Sequence, residues 1–339
     1  MAPHPSTWLQ PRPEGLFCLP GGFFIDPTRA VERAVITHGH ADHARPGHAH
    51  VLASAETLAI MRVRMPEGKA GTQQQSAAPG ETIRVNDVTI RLVPAGHVLG
   101  SCQIVLEYRG SRAVISGDYK RQPDPTCAPF EPIKCDVFVT EATFGLPIFH
   151  HPDAGLEIAR LLASVSLFEH RAHLIGAYGL GKTQRLIALL RQAGYDAPIF
   201  LHGALVKLCA LYEEFGVALG DLRPATVADK AALRGAIVLA PPSAMTDRWA
   251  RRLDDPVIAA ASGWMMVRQR AKASGVELPL VISDHADWQA ILHSIAQTEA
   301  PEIWVTHGAE AALIHQLGRL GLRGRALTLI GYGDDGEAP

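Results

Sequence analysis

Three imidazoles and a carboxylate crowd into one short stretch of this chain, His38-Gly39-His40-Ala41-Asp42-His43, directly after the β-rich run Ala34-Val35-Ile36-Thr37. Side chains held that close on a loop at a strand's end form a ligand set for two cations. Imidazole and carboxylate suit Zn, and also Mn or Fe, and without thiolate the sites stay open enough for water to remain bound. With 16 histidines in 339 residues, chance yields this pattern in roughly 2 of a thousand chains, so an incidental polar loop has to be weighed against a metal site.

The same placement recurs, and the recurrence decides against an incidental loop. His97 follows an apolar run ending in Pro94-Ala95-Gly96, Asp118 follows Ala113-Val114-Ile115-Ser116, and Glu141 follows Val137-Phe138-Val139-Thr140. His285 follows Leu280-Val281-Ile282-Ser283, and His307 follows Ile303-Trp304-Val305-Thr306. Each sits just past an apolar strand, where α/β sheets present their ligands, so one sheet edge is expected to gather them all. Any one of them alone reads as a turn or capping residue.

The pattern of apolar residues sets the organisation. Short strands are expected at 34–37, 82–85, 88–93, 103–108, 113–116 and 136–140, with a tight turn at Asn86-Asp87. From about residue 153, helices alternate with apolar strands: Ile158, Leu161, Leu162 and Val165 mark the buried face of one helix, and strands are expected at 174–177, 199–201, 237–240 and 257–260. Beyond about residue 276 come a strand at 280–283, a helix striped by Trp288, Ile291, Leu292 and Ile295, a strand at 303–306, a helix, and a last strand near Leu327. Residues 71–80 read as a short polar loop.

An apolar fraction of 47% and a mean hydropathy of +0.07 provide for an ample core in one large or two moderate domains. Residues 1–15 are rich in Pro and polar residues, so neither a signal peptide nor a membrane span is expected, and the cytoplasm is the expected compartment. Cys18, Cys102, Cys127, Cys135 and Cys209 are odd in number and scattered, which argues against a disulfide framework or a cysteine zinc knuckle. The net charge of -2 supplies no global field for nucleic acid, so any such binding needs a local patch.

These residues resemble the metallo-β-lactamase fold, and within it the β-CASP nucleases, the branch that includes Artemis and the endonuclease of messenger-RNA 3′-end formation. The resemblance runs over nearly the whole chain. Asp26 in Phe24-Ile25-Asp26 is similar to the branch's first motif, His38 to His43 to the second, His97 to the third and Asp118 in Ser116-Gly117-Asp118-Tyr119 to the fourth. Glu141 in Thr140-Glu141-Ala142-Thr143 resembles motif A, His285 in Ser283-Asp284-His285-Ala286 motif B, and His307 in Thr306-His307-Gly308 motif C.

The resemblance implies an α/β architecture: an αββα metallo-β-lactamase sandwich at 1–150 and 275–339, an inserted α/β β-CASP domain at 151–274, and an active site in the cleft between them. It implies two divalent cations, Zn foremost and Mn as the alternative, with His38, His40 and His97 on one, Asp42, His43 and His307 on the other, and Asp118 bridging. Asp26 would orient a ligand imidazole. Asp284 departs from the small residue usual before motif B, and a carboxylate there would raise the pKa of His285.

The compact length, with the segments at 176–184 and 262–265, looks most like the bacterial ligase-associated DNA exonucleases. With cations roughly 3.5 to 4 Å apart, a bridging water becomes hydroxide near neutral pH. His285, held by Glu141, is the expected proton donor to the leaving oxygen, and Asp42 is counted with them among the catalytic residues. DNA single strands or duplex ends are the expected substrate and repair the setting, with a functional link to a DNA ligase and helicase. RNA processing within the same branch is the rival, and a catalytically silent nucleic-acid-binding subunit is the rival from another class. The oligomeric state stays open.

Gly176-Ala177-Tyr178-Gly179-Leu180-Gly181-Lys182-Thr183 satisfies G-x4-G-K-[ST], a pattern that chance produces in roughly 5 of a thousand such chains. An ATPase also needs an acidic strand end for Mg, and those available, Asp118 and Glu141, are taken by the histidine set. The expected use of the segment is structural, or a contact of Lys182 with nucleic-acid phosphate. Ser262, Gly263 and Arg45 are weaker candidates for phosphate contact. His4, His48, His50, His150, His151, His170, His173, His202, His293 and His315 are expected at the surface or in turns.

Overall fold

Apolar residues two apart line one face of several strands, such as Val88–Pro94, and in the computed structural model, which describes residues 2–327, strands and helices pack around the cores of two units. One unit holds residues 2–123, Cys127–His150 and the described chain from His285 onward; the other holds Asp124–Thr126 and His151–Asp284.

The first unit contains two sheets. Six strands, Leu9–Arg12, Gly15–Cys18, Phe23–Ile25, Arg33–Val35, His50–Ala53 and Gln73–Ser76, lie side by side in chain order. The second sheet is ordered Arg323–Ala326, Glu302–Gly308, Val137–Ala142, Ser111–Ile115, Cys102–Tyr108, Val88–Pro94, Thr82–Val85. Its first four strands run parallel and the rest antiparallel. Leu16, Ile25, Val35 and Leu52 of one sheet share a core with Ile90, Leu92, Ile104, Leu106 and Val139 of the other. Each such side chain contributes about 1.5–3 kcal/mol. The alternate residues Val105, Val114 and Phe138 pack on Ile291 and Ile295 of the helix Trp288–Thr298 and Leu313 and Leu317 of Glu310–Arg319. Ala34, Ile36 and Val51 pack on Leu58 and Met61 of the helix Ala55–Arg64.

The second unit carries an all-parallel sheet, ordered Leu222–Pro224, Ile199–Leu201, Ile237–Ala240, His173–Gly176, Val257–Ala261, Leu278–Leu280. Ile199–Leu201, Ile237–Ala240 and His173–Gly176 are buried throughout, which is why they read as continuous apolar runs. The helix Ala154–Leu167 starts where Asp153 accepts the Gly155 amide at 2.8 Å and buries Ile158 and Leu161.

Three sequence expectations need correction. Within the segment 71–80, Gln73–Ser76 is a strand: its backbone pairs with His50–Ala53 while all its side chains stay exposed, so polarity marks a sheet edge there, not a loop. The strand expected at 280–283 ends at Leu280, because Glu157 Oε2 takes the Val281 amide at 2.8 Å and the Ile282 amide turns back to Leu280 O. His48 and His173 are buried: Nδ1 of His48 accepts the Val31 amide at 3.3 Å, and Nε2 of His173 meets Ser164 Oγ at 2.9 Å. Among the described residues no helix is long and apolar enough to cross a membrane.

Candidate metal centre

Two turns aim the histidine loop. After Arg33–Val35 the backbone continues extended through Ile36, whose amide donates to Leu52 O, and reaches Thr37. Asp26, at a left-handed φ of 41°, presents its buried carboxylate to that point. Its Oδ1 accepts the Thr37 amide at 2.8 Å, and its Oδ2 accepts the Thr37 hydroxyl at 2.5 Å and His43 Nδ1 at 2.8 Å. The Thr37 hydroxyl, spent as a donor, accepts from His38 Nδ1 at 3.0 Å. Both imidazoles thereby use Nδ1 as the donor and turn Nε2 inward, where a cation would take the place of an Nε2 proton. Gly39 between the histidines has no space for a side chain, since a Cβ would stand 2.5 Å from Ile60 Cγ2, and its carbonyl accepts from Arg64 Nη1.

The second sheet supplies four more groups. Ser111–Ile115, Val137–Ala142 and Glu302–Gly308 run parallel side by side, and Val88–Pro94 shares their direction, so Asp118, Glu141, His307 and His97 emerge at one edge. Thr306 pairs with Glu141 and Gly308 with Ala142; the register shift between them leaves His307 bulged at φ 58°. A single sheet edge does not gather the whole set, as the sequence suggested. The first sheet contributes His38 to His43, and His285, which meets Glu141 in the first unit, follows a strand of the second unit's sheet.

Among the described residues three donor groups result, one of them Asp118 with Glu141 and His285, and the other two are built from the histidine loop and its neighbours. Ligand atoms of His38, His40, His97 and Asp118 lie within 4.8 Å of one another, as do those of Asp42, His43 and His307. His40 Nδ1 stands 3.2 Å from His38 Nε2 and 2.9 Å from His97 Nε2. Asp118 Oδ2 stands 3.4 Å from His38 Nε2 in the first group and 3.4 Å from His43 Nε2 in the second, while Asp42 Oδ2 is 3.5 Å from His43 Nε2. That Asp118 oxygen is buried, with no hydrogen-bond partner among the described residues.

A divalent cation fits these donors. Ligands about 2.0–2.1 Å from a tetrahedral zinc stand about 3.3 Å apart, the spacing seen here. Ring nitrogens facing one another, around a carboxylate oxygen left without a hydrogen bond, lose that frustration when a cation lies between them. Desolvation opposes charge on His43, yet the carboxylates of Asp118, Asp42 and Asp26 outweigh it and raise its pKa well above the usual value. Desolvation and the neighbouring imidazoles of His38, His285 and His40 hold His97 well below the usual value and hence neutral. Burial opposes ionisation of Asp118, but His43 and His38 hold its carboxyl well below the usual range.

Glu141 and His285, which share a donor group with Asp118, also pair with each other. Glu141 is fully buried; its Oε1 accepts the Tyr119 amide at 2.7 Å and its Oε2 meets His285 Nδ1 at 2.8 Å. The His285 ring lies 4.8 Å from that of His97. The weaker sequence candidates stand elsewhere or in other roles. Arg45 follows the ligand loop, half-buried, with Nε buried and without an acceptor. Ser262 Oγ caps the turn at Gly263–Met266 by accepting the Trp264 amide at 3.2 Å, and Gly263 is buried in that turn. Lys182 is buried with its ammonium 3.8 Å from Asp284. Thr37 and Arg64, which hold the ligand loop, escaped sequence reading; the place of Thr37 directly before His38 was the available signal, and Arg64 had none.

Fold and site thus define a mixed α/β protein with a buried histidine–carboxylate centre. No protein-family model matches the chain. It is 28% identical over 322 residues to a "Probable DNA ligase" of Opitutus terrae, covering 92% of this chain and 30% of that protein. It is 28% identical over 261 residues to "Endoribonuclease YSH1" of Mycosarcoma maydis, covering 64% of this chain and 29% of that protein. A third relative, "Cleavage and polyadenylation specificity factor subunit 3" of Dictyostelium discoideum, is 30% identical over 139 residues, 38% of this chain and 18% of that protein. The chain spans less than a third of the length of these curated relatives. None of these three relatives is named a DNA exonuclease. A solved structure, a protein of unknown function from Enterococcus faecalis, is similar in fold with a TM-score of 0.58 at 12% identity, over 88% of this chain and 80% of that one.

Proposed function

We propose that the chain is a metal-dependent nuclease that hydrolyses phosphodiester bonds at DNA single strands or duplex ends, in repair. The observation that carries the reading is Asp118 Oδ2, buried midway between two donor groups with the His285–Glu141 pair alongside. DNA is favoured over RNA by the likeness to a protein named a probable DNA ligase, which extends over 92% of this chain. The same likeness supports a functional link to a ligase. The first unit is read as an αββα metallo-β-lactamase domain and the second as its β-CASP insert.

His38, His40 and His97 would hold one divalent cation and Asp42, His43 and His307 another, Zn foremost, with Asp118 common to both; the pair would supply an activated water and positive charge on the phosphoryl oxygens. Asp26 and Thr37 keep the His43 and His38 protons on Nδ1, so that both Nε2 atoms remain donors. Glu141 accepts from His285 Nδ1 and stabilises the protonated ring, whose other nitrogen gives a proton to the leaving oxygen. The Tyr119 amide keeps the Glu141 carboxylate from turning away. Arg45, on the ligand loop, is the contact proposed for phosphate.

A second reading, RNA processing, is favoured by the likeness to "Endoribonuclease YSH1" over 64% of the chain. End-labelled single-stranded DNA, duplex DNA and matched RNA, incubated with wild type and Asp42→Ala in Zn or Mn, separate the two. Cleavage of DNA by wild type alone is expected. Cleavage of RNA only would remove the DNA assignment, and equal activity in the variant would remove the metal-dependent site.

A further inference from the structure

The charges at the start of the helix Lys182–Gln192 are buried with two carboxylates in the second unit. Lys182 Nζ stands 3.8 Å from Asp284 Oδ2, Arg185 Nη1 3.7 Å from Asp284 Oδ1, and Arg185 Nε 3.5 Å from Asp124 Oδ2, with every side chain at most 3% exposed. Arg185 Nη1 also donates to Ser283 O. Two cations thus face two carboxylates. Desolvating such charges is a poor source of stability, and their documented use is to specify one arrangement.

The glycine-rich turn ahead of the helix spends its polar groups internally. Gln184 Oε1 accepts the Gly181 amide at 2.8 Å, Gln184 Nε2 donates to Gly179 O at 3.0 Å, and the Thr183 hydroxyl donates to Tyr178 O at 2.8 Å. The segment that matches a phosphate loop in sequence therefore has the build of a clamp, and what it grips is Asp284.

Asp284 directly precedes His285 in the chain. We propose that Lys182 and Arg185, acting through Asp284 and the Ser283 carbonyl, are positioning residues for His285. They fix the backbone from which His285 Nδ1 meets Glu141 Oε2 at 2.8 Å, while Ala286 on the other side is held by its amide on Tyr119 O at 2.7 Å. In this reading the carboxylate beside motif B serves the ring's placement. The proposal rests on the reading of His285 as proton donor.

The test uses Asp284→Asn and the double variant Lys182→Met with Asp284→Asn, which removes one charge of each sign and so leaves the net charge unchanged. In zinc-loaded, 15N-histidine-labelled protein, the His285 Nδ1–H signal, assigned by its loss in His285→Gln, is recorded beside zinc content, KM and kcat. The double variant is expected to keep its zinc and KM, to lose or shift that signal, and to lose about tenfold or more in kcat, a part of the 10²–10⁴ a general acid supplies. An unmoved signal and kcat would overturn the proposal, as would joint loss of zinc, KM and kcat, the mark of a general structural role. A wild type inactive on every nucleic acid would end the nuclease reading, and the signal would still decide the positioning claim.

Discussion

Replacing Asp26 with Asn removes one charge from the centre without changing its shape. The carboxylate accepts three hydrogen bonds, one at Oδ1 from the Thr37 amide and two at Oδ2 from the Thr37 hydroxyl and His43 Nδ1. An amide group at the Oδ2 position meets two donors; turned over, it meets the Thr37 amide. Either orientation sets N–H against N–H in a site 3% exposed, which costs about 1–3 kcal/mol of stability for the unsatisfied buried donor. The more specific effect falls on His43. Its ring escapes the clash by moving its proton to Nε2, the atom 3.4 Å from Asp118 Oδ2, and so loses the lone pair a cation needs. Loss of such an orienting partner weakens metal binding by about 10–100-fold, or about 1.4–2.7 kcal/mol. Zinc retained after dialysis against a competing chelator, with thermal unfolding in parallel, measures both effects. A folded Asp26→Asn protein that holds zinc as wild type does would refute the tautomer argument.

His285→Ala is expected to lower turnover by about 10²–10⁴-fold while zinc content stays at the wild-type level; loss of zinc would make it a ligand and not a proton donor. Gly308→Ala places a Cβ 2.2 Å from Ala142 O at φ 74°, so beyond the left-handed backbone cost of about 1–2 kcal/mol the bulge must open. A lower melting temperature with weakened zinc binding is the expected result, and a silent variant would show that the bulge does not hold His307. Burial pushes the thiols of Cys18, Cys102, Cys135 and Cys209 up to about 12, so at pH 8 a thiol reagent should reach Cys127 first. Mass mapping that finds Cys18, Cys102 or Cys209 modified at the same rate in native protein would contradict their burial.

The gathering of these side chains was legible because a polar residue just after an apolar run is a local signal, and six such runs precede His38, His97, Asp118, Glu141, His285 and His307. What holds those residues was not readable. The Asp26 carboxylate grips Thr37 and His43, eleven and seventeen positions away, and Arg185 meets Ser283 nearly a hundred positions on; neither contact leaves a pattern in the chain. Gln73–Ser76 escaped notice because an exposed edge strand needs no apolar row, only a backbone partner. The strand expected over 280–283 failed for the converse reason: Val281 and Ile282 are apolar enough for a sheet, but a carboxylate from the helix Ala154–Leu167 claims the Val281 amide. Apolar periodicity reports burial; backbone pairing is decided by partners far along the sequence.

The central claim is that Asp118 joins two donor groups into one two-cation centre that hydrolyses nucleic acid. The most direct measurement is a titration of metal-stripped protein with zinc, following bound metal per chain and cleavage of end-labelled DNA together, for wild type and Asp118→Ala. Activity that stays near zero through the first equivalent and rises with the second, and that is absent from Asp118→Ala at every ratio, is the predicted result. Full cleavage by the stripped protein, or an Asp118→Ala protein that binds two zinc ions and cleaves at the wild-type rate, would contradict it.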